Sequence, residues 1–310
     1  MGMDIAVKAA ETSRLPKRNR GAAKGRSVAT WLVLAGATLT NLLLWGRATT
    51  SAEPCSVEGQ ENGAVKSVDE RLELELDSGD VLKIAGVLPP APTPTDPDLD
   101  AKSRDRLTGW LRGQAVSFHR LDPRPDRWGR APAVIFATVG TPNAAPVDVG
   151  AALLDAGLGR FDPAAGLSPP CRAALLAAEA AARAAALGVW SDPYYSIIAA
   201  SDRESFREKA GTSVIVEGRV SRVDIGSART TLFYGPRRNL DFSVTILTRN
   251  IKRFESAGLD PAQFSGRLLR VRGLLEMRFG PQIEVSDPDE IELIAQDQDA
   301  VATRPPRSRR

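Results

Sequence analysis

The sequence predicts a mainly β fold with helices, arranged as two successive compact regions. Three observations carry this prediction. Leu72, Leu74 and Leu76 alternate with Glu73 and Glu75, the period of a half-buried strand. Ten of the 17 residues from Cys171 to Leu187 are alanine, so helix is favoured there by propensity alone. From Thr212 onward the chain returns to long alternating runs.

In order, Arg71 to Gly86 reads as a hairpin turning at Asp77-Ser78-Gly79-Asp80, with Val81 to Val87 as the partner strand. Pro89-Pro90-Ala91-Pro92-Thr93-Pro94 is a stiff loop. A helix is expected over Asp98 to Arg112, with Leu107, Trp110 and Leu111 on its buried side, and strands at Val116 to Phe118 and Ala133 to Val139. Val149 to Ala156 is a short helix ended by Gly157. The alanine-rich helix starts at Pro169, with Ser168 as cap and Gly188 as terminator.

Beyond a boundary near Asp192 to Arg203, strands are expected at Val214/Val216/Val220, Leu240/Phe242/Val244/Ile246, Leu269/Val271/Leu275/Met277 and Ile283/Val285, with a helix near Asn250 to Ala257. Strands around one inserted helix form a small Greek-key barrel of the oligonucleotide/oligosaccharide-binding (OB) type, expected over residues 205–296. Residues 297–310 have the composition of a disordered tail.

The formal charge of +3 sits at the ends of the chain. Residues 1–27 hold seven Lys/Arg against two acids and the tail from Asp297 four against two, so the body between them is net negative. A diffuse electrostatic grip on nucleic acid is thereby excluded, and any such binding must be local.

Residues 1–27 form a basic leading region, and the uncharged stretch Val28 to Trp45 would span about 27 Å as a helix. Residues 28–52 therefore read either as a signal peptide, cleaved after the small residues Thr50-Ser51-Ala52, or as a transmembrane anchor contacting the membrane through 28–45. Both place the body outside the cytoplasm, periplasmic or anchored to the inner membrane. Cys55 and Cys171 both lie in that exported part, where pairing into a disulfide is expected.

Four short motifs then fall in register. They are Lys83-Ile84-Ala85-Gly86-Val87 followed by Pro89-Pro90, Asp126-Arg127-Trp128-Gly129-Arg130, Ala152-Leu153-Leu154-Asp155-Ala156-Gly157-Leu158, and Ala178-Glu179-Ala180 through Gly188-Val189-Trp190. In order and spacing, residues 60–193 resemble staphylococcal nuclease (thermonuclease) domains, which places a nuclease-like domain over 55–193. The resemblance implies a five-stranded OB-type barrel with three helices and calcium-aided phosphodiester hydrolysis.

It also implies where the chemistry would sit. The family's first metal-binding Asp falls at Leu72, its second at Leu88 and its general base Glu at Ala91, while its two phosphate-binding arginines fall at Lys83 and Arg130. Hydrolysis needs a hard cation held by carboxylates and a base for the water. With those positions apolar and the two cations kept, the resemblance implies a degenerate enzyme, with no catalytic residue, metal ligand or cofactor assigned. Calcium enters only if hydrolysis survives on displaced ligands such as Glu70. Leu72 and Leu88 are expected to pack together and plug the former metal pocket.

Trp128 occupies the place of an aromatic beside the nucleotide, against which stands the plainer reading that it covers the barrel while Arg130 pairs with a local acid. In the second barrel Arg270 and Arg272 are expected on an outward face near Arg237, Arg238, Arg249, Lys252 and Arg253, with Phe233 and Tyr234 as the aromatics placed to stack. The functions left open are a noncatalytic binding or scaffolding module for single-stranded nucleic acid or another anionic ligand, a residual calcium-dependent phosphodiesterase, and a structural envelope component.

Overall fold

The computed structural model describes residue 55 and residues 60–138, 145–163 and 166–294, all within one compact unit, Ser51–Arg310. The leading segment 28–52 and the tail 297–310 lie outside the described residues.

The first half opens with β1 (Glu61–Val68), β2 (Leu74–Leu76) and β3 (Val81–Ile84), an antiparallel meander. β4 (Val87–Leu88) and α1 (Leu99–Leu111) lead to the antiparallel pair β5 (Ala115–Arg120) and β6 (Arg130–Ala137). The order β3-β2-β1-β5-β6 closes on itself, because β6 also pairs in parallel with β3, and a five-stranded barrel results. Then come β7 (Val147–Asp148), α2 (Val149–Asp155), β8 (Arg160–Phe161) paired with β4, and α3 (Pro169–Ala184). Leu74, Leu76, Leu82, Ile84, Phe118 and Ile135 fill the barrel, and Leu107, Leu153 and Leu175 bring the three helices onto it. Pro169–Ser191 is long and apolar enough to cross a membrane, yet its Cys171, Leu175, Glu179 and Ala182 are buried against this body.

The first half departs from expectation at Leu72. Asp69 Oδ1 accepts the amides of Arg71 and Glu73, closing a turn in which Leu72 takes a left-handed φ of 59°. Leu72 is thus no strand residue, although it is 2% exposed in the core, and Glu70 is exposed in the same turn, without a common strand face. A β-strand alternation cannot cross a left-handed residue, so Glu73, expected outside, is turned inside at 6% exposure.

α2 and α3 end against one another. Gly157 (φ 66°) and Gly188 (φ 51°) meet backbone to backbone: a Cβ on Gly157 would lie 2.2 Å from the Leu187 carbonyl oxygen, and one on Gly188 2.1 Å from that of Gly157. Only glycine supplies both the handedness and the approach. Cys171, in the first turn of α3, is disulfide-bonded to Cys55.

The second half comprises β9 (Ile198–Ala199), α4 (Arg203–Glu208), β10 (Ser213–Arg219), β11 (Arg222–Ile225), β12 (Arg229–Phe233), β13 (Ser243–Leu247), α5 (Thr248–Ser256), β14 (Leu268–Leu274), β15 (Gln282–Val285) and β16 (Ile291–Leu293). Two four-stranded sheets, β16-β14-β10-β9 and β11-β12-β13-β15, enclose one core of Val216, Leu232, Val244, Phe254, Val271 and Ile283. Leu240 and Met277, expected in strands, lie instead in exposed connections, at 55% and 38% exposure. β15 runs parallel to β13, and β14 antiparallel to β10. Each half therefore has a run of three antiparallel strands, β1 to β3 and β11 to β13, then a helix, and a later strand, β6 or β15, that lies parallel to the third of that run. No sequence repeat announces this correspondence.

An ionic network joins the halves. Arg272, expected to face outward, is 5% exposed; its Nη1 and Nη2 donate to the fully buried Glu179 carboxylate of α3 at 3.1 and 2.8 Å, and Nη2 to Glu292 Oε1 at 2.5 Å. Arg270 donates to Glu217 and Glu292. The two arginines share a face, but it is the one packed toward the first half. Burial alone would raise the Glu292 carboxyl, and the guanidinium groups of Arg272, Arg270 and Arg183 together outweigh it, so its pKa is lowered.

Candidate functional site

Of the positions implied by resemblance, Arg130 is the most committed. It stands at the start of β6, where its Nη1 donates to Glu73 Oε1 at 2.9 Å and its Nε to Asp126 Oδ2 at 2.9 Å. The Arg130 hydrogen bond holds the Asp126 carboxyl well below the usual range, at about 2. Burial, then the neighbouring Asp69 carboxylate, push Glu73 upward against the pull of Arg130. Two acids thus neutralise Arg130, and Glu73 is the partner that a simple strand alternation conceals.

Trp128 is 60% exposed, with the guanidinium of Arg127 3.8 Å and that of Arg130 4.7 Å from its ring centroid. It therefore covers a surface turn rather than a pocket. Lys83, on β3, has its Nζ 3.5 Å from Asp162 and is 44% exposed. Ala91 is exposed, and its backbone is clamped: its amide donates to the Tyr195 hydroxyl at 2.8 Å, and that hydroxyl donates to the Ala91 carbonyl at 3.1 Å. Thr93 and Thr95 bond the Asp192 carboxylate, fixing the rest of the proline-rich loop.

Leu72 and Leu88 do not share one plug. Leu72 belongs to the buried core, whereas Leu88 is half-buried in the wall of a cavity with Arg160, Asp162, Arg272 and Glu290. Leu88 is held there by pairing with Arg160, in a register that faces the second half. Lys83, Arg130, Trp128 and Leu72 take no part in that cavity's wall. Among the described residues, the only grouping of three potential metal ligands is Cys55, Asp148 and Cys171, whose two sulfurs are bonded to each other.

A more open arrangement lies on the outer face of the sheet β11-β12-β13-β15. A groove of about 330 Å³ is lined by Arg229, Thr231, Phe233, Arg238, Thr245 and Phe279, among others. The pairing sets its floor, since Phe233 stands opposite Ser243 and Ser243 opposite Gln282, while Thr231 faces Thr245 one step along. Arg222 and Arg238 lie 4.2 and 5.2 Å from the Phe233 ring centroid, and Arg278 lies 5.1 Å from that of Phe279. Phe279 is 57% exposed.

Asp224 takes a hydrogen bond from Arg238 at 2.8 Å and sits 3.7 Å from Arg222. Arg229 and Arg278 have no acid within 4 Å among the described residues, so the groove keeps a positive excess. Tyr234, expected to stack here, points the other way: neighbours along a strand alternate faces, and its ring packs on Phe242 with centroids 5.0 Å apart. Burial pushes the Tyr234 hydroxyl far above its ordinary pKa. Phe279, in the connection between β14 and β15, takes its place. It was missed in the sequence because one aromatic in a short loop has no periodicity. Arg237 leans on Asp241 and Arg253 on Asp287, away from the groove.

No protein-family model matches the chain, and no curated protein matches it.

Proposed function

We propose that this chain is an exported or membrane-anchored, noncatalytic relative of staphylococcal nuclease domains, and that it binds an extended anionic strand of the single-stranded nucleic-acid class along its second barrel. The observation that carries this reading is the groove on β11-β12-β13-β15, where two phenylalanines, a hydroxyl-bearing floor and unpaired arginines lie together. Rings give stacking platforms of tolerant sequence preference, arginines track the backbone, and Thr and Ser hydroxyls bond either partner. In each half a later strand lies parallel to the third of a three-stranded antiparallel run, which supports an OB-type barrel, whose ligand face is the second and third strands with the loop between the fourth and fifth. Phe233 on β12, Thr245 on β13 and Phe279 after β14 occupy those places.

The noncatalytic half of the reading rests on the first barrel. Leucine and alanine stand at the implied metal and base positions, and Arg130 is already paired with two acids. A labelled single-stranded oligonucleotide incubated with the full chain and calcium tests both parts. The expected result is a retarded band on a native gel and an intact strand on a denaturing one. Cleavage abolished by Lys83→Ala would overturn the noncatalytic assignment, and absence of both binding and cleavage would overturn the binding one.

A further inference from the structure

The cavity between the halves has in its wall a guanidinium, that of Arg160, which makes no salt bridge among the described residues. Its volume is about 100 Å³, and its wall contains Leu88, Arg160, Asp162, Ser213, Arg272 and Glu290. That is room for several waters or for one tetrahedral oxyanion. Arg160 projects from β8 and is 9% exposed. Its Nη1 donates to the Ser213 carbonyl at 3.0 Å and its guanidinium lies 4.9 Å from the Tyr195 ring centroid. Its Nε is closed off from the cavity and has no hydrogen-bond partner, so a ligand there would meet the Nη groups, and no carboxylate lies within 4 Å of the guanidinium, among the described residues.

Of the other charges around the cavity, only Glu290 makes no salt bridge among the described residues. Lys83 lies against Asp162, and Arg270 and Arg272 with Arg183 balance Glu217, Glu179 and Glu292. The Glu290 carboxylate accepts the backbone amides of Ser286 and Asp287. Burial works against the charged form of Arg160, yet a guanidinium does not give up its proton in a protein. A buried cation with no carboxylate at salt-bridge distance is unfavourable, and the planar fork of arginine fits tetrahedral oxyanions better than any other side chain does.

We propose that this cavity binds a free tetrahedral oxyanion of the phosphate or sulfate class, with Arg160 as its principal ligand. Because Leu88 and Arg160 come from the first half and Ser213, Arg272 and Glu290 from the second, the bound ion would brace the junction. The site is separate from the groove on the second barrel and does not depend on it.

The test is calorimetric titration of the full chain in detergent with inorganic phosphate, with sulfate as competitor and chloride as the ionic-strength control. One saturable phosphate site, displaced by sulfate and accompanied by a rise in melting temperature, is expected. Arg160→Gln should weaken phosphate at least about tenfold, the loss of one charge-assisted hydrogen bond. Leu88→Glu, which brings a carboxylate into the same wall, should abolish phosphate binding and melt higher than wild type in chloride; it tests the site even if Arg160→Gln fails to fold. Phe233→Ala/Phe279→Ala should leave phosphate binding unchanged, separating this site from the groove. No saturable phosphate or sulfate binding, or undiminished binding in folded Arg160→Gln or in Leu88→Glu, would overturn the proposal. Displacement of phosphate by a 5′-phosphorylated oligonucleotide but not by its unphosphorylated counterpart would overturn the free-ion form.

Discussion

Arg130 shows how a cation can be held from binding phosphate by acids of its own fold. With Glu73 6% exposed beneath it and Asp126 beside it, its donors are satisfied within the protein, and an incoming phosphate would have to displace two carboxylates. Arg130→Ala should therefore lower stability, through the charged hydrogen bonds it removes, while leaving strand binding unchanged; urea unfolding and a binding titration check the two parts. The Asp126 carboxyl, lowered to about 2, gives a pH signature. A depressed acid contributes stability that is complete above its unfolded pKa and is lost as pH falls through its folded one. The melting temperature of wild type should exceed that of Asp126→Asn by a constant margin above pH ~5, a margin that shrinks as the pH falls toward 2. Glu73 was concealed in the sequence by its neighbours: Leu72, Leu74 and Leu76 alternate perfectly, and only the Asp69-held turn at Leu72 breaks the phase.

At the scale of elements, legibility followed the strength of the periodic signal. α2 and α3 were readable from their terminating glycines, and α3 from its alanine content as well, although Ser168, expected as its cap, makes no side-chain capping bond; the core strands β10, β13 and β14 were readable because apolar residues recur over several turns of the pleat. β1 was not, since ENGAVKSV buries only Val65 fully, and β11 and β12 were not, since each offers the core only one or two apolar side chains. Gly157→Ala should be severely destabilising, because its Cβ would strike the Leu187 carbonyl and no flexible side chain can yield; loss of the cooperative thermal transition below that of wild type is the readout. Reduction of Cys55–Cys171, which spans 116 residues, should lower unfolding free energy by about 4 to 5 kcal/mol in the chain-entropy account, measured by denaturant titration with and without reductant.

For the whole molecule, the contact between halves is carried by charges far apart in sequence. Glu179 is the one acid in an alanine-rich helix and Arg272 one of two arginines in a later strand, 93 residues on, and nothing in either local pattern names the other. The groove was half legible for the same reason: Phe233 and Arg238 were singled out, but Phe279 reaches them only through the fold. Removing one partner of the buried pair is the costly change. Arg272→Met should destabilise by about 3 to 5 kcal/mol by stranding Glu179, whereas Glu179→Leu/Arg272→Met should recover much of that, as a double-mutant cycle in urea would show.

The binding claim is tested most directly by fluorescence anisotropy of a single-stranded oligonucleotide titrated with the full chain, comparing wild type, Phe233→Ala/Phe279→Ala and Lys83→Ala/Arg130→Ala. Each stacked base is worth about 1–3 kcal/mol, so loss of both rings should weaken binding by on the order of a hundredfold, and affinity should fall as salt rises. The Lys83→Ala/Arg130→Ala variant should bind as wild type does. Unchanged affinity in the phenylalanine variant together with lost affinity in the lysine/arginine variant would contradict the account and return the ligand to the first barrel.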